Sequence, residues 1–395
     1  MAAFAGAANT VVFKRYHMNR RNFVKQAGII VTGSTLPLDR LQDFSIPAKN
    51  KLPKWKGFNL LDFFSPNPAD RSFPVTLEQH CKWMQDWGFD FVRIPIAYPT
   101  YLNIDRTRPI HADETYQVDE KRVEAIDRLV QMAFKYNLHV NLNLHRAPGY
   151  CINAGFHEPF NLWKDETAQK AFYHHWAMWA RLYKNVSAKK ISFNLLNEPA
   201  MREDMNDQHS PASALPGALY RKVVAGATGV IHKENPQRLV IADGNAGYVV
   251  PELVGSPVHQ SCRGYHPGEI SHYKAPWAHK DPNHLPAPKW PGKVGDRMLS
   301  RAMLEDFYAP WIELVRTGVG VHCGECGCYS KTPHPVFLAW FEDVLDILSS
   351  NGIGFALWNF AGDFGVINSN RADVAYENWY GAQLDRKLLD LLKKY

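Results

Sequence analysis

"VGVHCGECGC", residues 319–328, places three cysteines, a histidine and a glutamate within one short stretch. Two readings of it lead to different proteins. As a set of metal ligands, His322, Cys323, Cys326 and Cys328 suggest a zinc-binding turn and a zinc-dependent hydrolase or zinc-binding protein. As a β-strand, the same residues carry a single carboxylate, Glu325, to a site at the strand's end. Extended chain would set Cys323 and Cys326 roughly 10 Å apart on opposite faces. Zinc instead draws its thiolates to about 2.3 Å on one tetrahedron, which a tight turn supplies and a strand does not. The strand reading therefore puts Cys323 on the face of Glu325, turns Cys326 and Cys328 toward the other side as small thiols, and expects no metal or cofactor. The flanking sequence decides between the two.

That flanking sequence alternates in type from residue 55 onward. Short apolar runs, β-branched or aromatic and bounded by Gly, Pro or Asn, occur at 55–64, 89–97, 138–145, 190–198, 238–244, 258–266, 318–325 and 352–360, as strands should. Helical patterns lie between them. "TLEQHCKWMQDWG" offers Thr76 as an N-cap with Gln79 three residues on and Gly88 as a stop. "VDEKRVEAIDRLVQMAFKYN" sets Val123, Ile126, Leu129, Val130 and Ala133 on one stripe. Eight strands interleaved with helices predict a single (β/α)8 TIM barrel over residues 51–395. The fifth helix, between Gly247 and Val258, shrinks to a turn in this reading. An open doubly wound sheet is the alternative, but "GFNLLDFFSPNP" after the first strand lacks the Gly-rich phosphate turn of that fold.

Composition narrows the function. The 395 residues carry a net charge of +6 with no Lys/Arg block beyond the N-terminal region, unlike a nucleic-acid groove, where cations cluster. No run of about 18 apolar residues is present, so no transmembrane helix is expected. Twelve Trp, 17 Tyr and 21 Phe exceed what a bland surface needs and fit either a large core or a cleft that stacks on sugar rings. "NRRNFVKQAGIIVTGSTLPL" (19–38) resembles a bacterial twin-arginine export signal, so residues 1–50 are set apart from the fold and export to the periplasm or exterior is expected. Residues before Met18 read as lying ahead of the true start. The six cysteines show no framework spacing, which predicts buried, reduced thiols. A monomer is expected.

In a barrel, chemistry gathers at the C-terminal ends of the strands. Strand four ends in "NLLNEP", where alternation points Asn194, Leu196 and Glu198 to one face. Strand seven ends in "HCGECG" with Glu325. Two carboxylates across one barrel mouth are what glycoside hydrolysis requires: one protonates the leaving oxygen, the other attacks the anomeric carbon or activates water. Arg93, inward on strand two, needs a carboxylate partner. His145 ends strand three behind Asn141 and Asn143, an interior too polar for packing alone, and Trp358 near the end of strand eight would lie across the floor of the mouth.

These motifs, with "GFNLL", "VRIPIAY", "NLHRAPGY", "FNLLNEP", "GECG" and "ALWNFAGDFGVINSNRADV", resemble the retaining β-glycosidases of glycoside hydrolase family 5 over residues 55–395. The resemblance implies Glu198 as acid/base, Glu325 as nucleophile and Asn197 on the sugar 2-hydroxyl. It implies that Arg93 and His145 shape the reacting subsite, that Tyr265 bonds the nucleophile, and that Trp358 stacks beneath the sugar. The substrate would be an oligo- or polysaccharide, a β-glucan or gluco-oligosaccharide, with β-mannan or another β-glycoside as alternative. A non-catalytic carbohydrate-binding barrel is the rival from another class. One position departs from the family: Arg263 stands where His is usual, two residues before Tyr265, with His266 or His272 as candidates to compensate. An arginine beside the acid/base favours its ionised form, which opposes its role as acid.

Overall fold

The computed structural model describes residues 50–395 apart from 68–71, 73, 106, 153–157, 205, 206 and 208. Apart from Asn50, the export-signal-like segment therefore lies outside the described residues.

The eight apolar runs form β1 (Lys56–Asn59), β2 (Phe91–Ala97), β3 (His139–Ala147), β4 (Ile191–Asn194), β5 (Val240–Asp243), β6 (His259–Gly264), β7 (Val321–Cys326) and β8 (Gly354–Leu357). Each pairs in parallel with the next, and β8 pairs back onto β1, so the sheet closes. Closure leaves no free edge, and burial on both faces explains why most of these strands read as nearly continuous apolar runs. At Gly57, β1 and β2 approach so closely that a Cβ would run into the Phe91 carbonyl, so only glycine fits. Asn50 ties the base of the barrel: its Nδ2 donates to the Val321 and Gly352 carbonyls, and its Oδ1 accepts from the Val321 amide.

Among the described residues, seven helices cover the outside: α1 (Glu78–Asp86), α2 (Glu120–Lys135), α3 (Glu166–Leu182), α4 (Gly217–Glu234), α5 (Arg301–Arg316), α6 (His334–Ser350) and α7 (Arg386–Lys394). Between β5 and β6 there is only the turn Pro251–Leu253, matching the vanishing fifth helix of the sequence. Asp119 caps α2 by accepting from the Lys121 and Arg122 amides, and the Ile126, Leu129, Val130 and Ala133 stripe is buried as expected. The N-cap of α1 differs from expectation. Leu77 occupies it, because Thr76 donates both its amide and its hydroxyl to Asp62 instead.

The main apolar core lies between barrel and helices. A second cluster of Leu52, Trp55, Phe91, Ile241 and Ala356 plugs the lower barrel interior, with His139 stacked on Trp55. His139, Asn141 and Ser192 hydrogen-bond among themselves in this lower layer, while the charged groups gather at the mouth. Two insertions rim that mouth: residues 267–299 after β6, ending in the hairpin Gly292–Val294/Arg297–Leu299, and the segment after β8 that carries the hairpin Glu377–Trp379/Ala382–Leu384.

Candidate active site

Strand pairing in β4 stops at Asn194, and the chain continues irregularly to Glu198. Strict alternation fails there. Asn194 and Asn197 both reach Arg93, although they are three residues apart, because Leu195 and Leu196 both turn into the apolar core. The expected inward orientation of Leu196 is thus corrected. Glu198 itself adopts φ +44°, a left-handed conformation uncommon for a residue with a side chain. Its amide donates to Asp243 at 2.9 Å, its carbonyl accepts from the Tyr150 hydroxyl at 2.6 Å, and its side chain stays 34% exposed. The backbone is fixed while the carboxylate faces the mouth.

The stretch 321–326 is a strand, as its alternation suggests, but it carries a bulge. Its register against both β6 and β8 shifts after Cys323. A bulge adds one residue, so Gly324 and Glu325 both face the barrel; a Cβ on Gly324 would meet Ser261 Oγ, and Arg93 reaches Glu325. Cys323 therefore does not share the face of Glu325. It lies on the helix side with Cys262 and Cys326, beneath Tyr308 of α5. His322 points the other way, toward the Trp55 carbonyl, and Cys328 donates to the Ile270 carbonyl. The four residues that resembled metal ligands do not converge, and the described residues contain no group of three or more His, Cys, Asp or Glu placed to hold a metal ion.

Two guanidinium groups organise the mouth. Arg93, fully buried, donates to Glu325 Oε1 at 2.6 Å, Asn59 at 3.0 Å, Asn194 at 3.0 Å and Asn197 at 2.9 Å. Arg263 donates from Nε to Glu198 Oε1 at 2.8 Å and from Nη2 to Asn197 at 2.8 Å and to Asp243, and that Nη2 lies 3.5 Å from Glu325 Oε1. One guanidinium thus touches both glutamates, which fits the ~5 Å carboxyl spacing of retaining glycosidases better than the ~6.5–9.5 Å of inverting ones. Burial pushes Glu325 upward, to about 7, against the pull of Arg263 and Arg93. Its Oε1 is held by the arginines, and among the described residues Oε2 accepts only from the Tyr265 hydroxyl, at 3.2 Å. Oε2 is the oxygen free to react.

The other expected residues gather here. Asn197 spends its carbonyl on the two arginines, leaving Nδ2 with a long 3.4 Å contact to His145 Nε2. Burial, with Arg93, Arg146 and Arg263 nearby, holds the His145 pKa far below its usual range, so its ring stays neutral, and its Nδ1 has no partner among the described residues. Trp358 lies 5.6 Å from the His145 ring and 5.5 Å from Phe64. Neither alternative histidine replaces the missing one: His266 stacks on Phe307 of α5, and His272 packs edge-on against Tyr265. Arg263 occupies that position itself. Asp243, Asn59 and Ser261 were not singled out from sequence; for Asp243 the available signal was a carboxylate closing strand five just before Gly244. Trp277, on the long insertion and 39% exposed, stands edge-on to Tyr329 at 4.8 Å and closes one wall of the mouth with Phe364.

A closed parallel barrel whose mouth holds two glutamates on one guanidinium defines a glycoside hydrolase by class. Comparison with known proteins fixes the family. Residues 47–364 match the sequence profile of Cellulase (glycosyl hydrolase family 5), and the chain belongs to that family. Endoglucanase C of Acetivibrio thermocellus is 24% identical over 328 residues, 76% of this chain and 88% of that protein. Cellodextrinase A of Ruminococcus flavefaciens is 27% identical over 308 residues, 75% of this chain and 83% of that one. The crystal structure of a glycoside hydrolase superposes with a TM-score of 0.76 at 34% identity, covering 86% of this chain and 99% of the other. Double displacement with retention is general to the family.

Proposed function

We propose that this enzyme hydrolyses β-1,4-linked glucan chains or cello-oligosaccharides, with Glu325 as nucleophile and Glu198 as acid/base. The observation that carries the assignment is the asymmetric environment of the two carboxylates. Glu325 is buried and gripped at Oε1, with Oε2 turned to the mouth. Glu198 is the more open and has one side-chain donor. In the first step Glu325 Oε2 forms a bond to the anomeric carbon as the glycosidic C–O bond breaks, and Glu198 passes its proton to the departing oxygen. Glu198, now a base, takes a proton from water, which attacks the anomeric carbon and releases Glu325. In this reading Asn197 Nδ2 donates to the sugar 2-hydroxyl and Trp358 stacks beneath the ring, which the long Nδ2 contact to His145 and the packing of Trp358 beside His145 support.

The names of the relatives, an endoglucanase and a cellodextrinase, support the glucan assignment. Incubation with cellotetraose, carboxymethyl-cellulose, laminarin and mannan tests it. Products are expected from the first two, with the β-anomer appearing first by proton NMR before mutarotation. An initial α-anomer would rule out double displacement, and product from mannan or laminarin alone would rule out the β-1,4-glucan assignment. Export through the twin-arginine-like segment and action as a monomer complete the proposal.

A further inference from the structure

The mouth holds more charge than two catalytic carboxylates need. Arg93 and Arg263 contribute two positive groups; Asp243, Glu198 and Glu325 contribute three carboxyls, and all but Glu198 are buried. A net negative charge in so dry a place is costly, so the set is balanced when one carboxyl holds a proton. Asp243 accepts from the Glu198 amide, Asn194 Nδ2 and Arg263, a donor set suited to a carboxylate. Glu325 accepts the tight Arg93 bond and the Tyr265 hydroxyl. Burial favours that proton on Glu325, whereas the acid step needs it on Glu198, whose single side-chain donor is Arg263 Nε.

We propose that Arg263 and Asp243 act as a pair of positioning residues that set the proton balance of Glu198. Arg263 Nε orients the Glu198 carboxyl. Asp243 offsets the guanidinium charge that would otherwise hold Glu198 as an anion, and also anchors its left-handed backbone through the amide. The pair stands side by side because β5 and β6 are neighbours, with Asp243 opposite Ser261, two residues before Arg263. Among the described residues, the remaining charged or titratable groups facing Glu198 are Glu325 on β7, Arg93 on β2, Tyr265 just past β6 and Tyr150 beyond β3, with His145 on the far side of Asn197. The tyrosines are raised well above their usual value by burial, and His145 stays neutral, so none of these three changes charge in the working range. This proposal rests on Glu198 being the acid/base.

The test is the pH dependence of kcat/KM for aryl β-cellobiosides. A general acid must be protonated, so its proton loss sets the alkaline limb. D243N leaves Arg263 uncompensated and should move that limb down by about one pH unit, a tenfold weaker hold on the proton. It should also widen the rate ratio between 2,4-dinitrophenyl and phenyl leaving groups about tenfold, because only the poor leaving group needs the acid. R263H leaves Asp243 without its cation and should move the limb upward. Shifts of opposite sign support the proposal; no shift, or shifts of the same sign, overturns it. If D243N loses its cooperative thermal transition, the R263H limb decides alone, and a limb that does not rise overturns it. Wild-type enzyme inactive on every β-glucoside would instead remove the functional reading on which the proposal stands.

Discussion

Glu325→Gln lowers kcat/KM on cello-oligosaccharides and aryl β-cellobiosides by at least about four orders of magnitude, equivalent to roughly 5.5 kcal/mol of transition-state stabilisation. Glutamine keeps the shape and can still accept from Arg93 through its amide oxygen, so the fold should survive. What disappears is the attacking carboxylate, and with it the glycosyl-enzyme intermediate. Glu198→Ala behaves differently. Its loss is large on a phenyl leaving group and much smaller on 2,4-dinitrophenyl, and added azide accelerates turnover with formation of a β-glycosyl azide. Steady-state kinetics and product NMR check both variants. Near-normal hydrolysis by Glu325→Gln, or azide rescue giving an α-product, would remove the assignment of roles.

Arg93→Met is the second large effect, on stability as well as on rate. Methionine fills the volume but leaves Glu325, Asn59, Asn194 and Asn197 short of a donor inside the barrel. Breaking a buried pair by removing one partner costs about 3–5 kcal/mol. The lower end is expected here, because Arg263 remains 3.5 Å from Glu325. For a chain of this size the melting temperature should fall by about 4 °C. The sign of the pH dependence follows from the unpaired carboxylate. Its proton is bound more tightly in the folded variant than in the unfolded chain, so the deficit is greatest at alkaline pH and shrinks as Glu325 takes up its proton. Calorimetry at pH 5 and pH 8 reads this directly. Combining Arg93→Met with Glu325→Gln should recover part of the loss, and a double variant no more stable than Arg93→Met would contradict the account.

The barrel and the positions of Glu198, Glu325, Arg93, His145 and Trp358 could be read from sequence because parallel strands buried on both faces leave contiguous apolar runs, and barrel strand ends converge by topology; Tyr265 and the role of Asn197 came only from the family resemblance. Arg93, His145, Asn197, Glu198, Tyr265, Glu325 and Trp358 do meet at the mouth. What failed was the two-residue alternation. It assumes an unbroken ladder, and the ladder breaks at the bulge after Cys323 and at Leu195–Leu196, both next to the glutamates. Gly324 was a signal passed over, because a glycine inside a strand often marks a bulge, whereas nothing in the identity of Leu196 marks the break. Thr76 looked like a cap because capping is local, but Asp62, fourteen residues away, holds it in the folded chain. Asp243 was missed for the same kind of reason. An aspartate before a glycine reads as a turn, and its partnership with Arg263 exists only once β5 and β6 have paired.

The bulge in β7 also gives the molecule a clock. By turning the carboxylate inward and the sulfurs outward, it seals Cys262, Cys323 and Cys326 between the strands and α5, and Cys81 and Cys328 are buried elsewhere. Cys151 alone is partly accessible. An alkylating reagent added to native enzyme should therefore modify Cys151 promptly, and Cys262, Cys323 and Cys326 only when the barrel wall opens. The rate of that second phase, followed by mass spectrometry, measures how often the enzyme's own scaffold comes apart, with no mutation needed. Prompt modification of two or more thiols would mean that the wall behind Glu325 breathes far more readily than its packing implies.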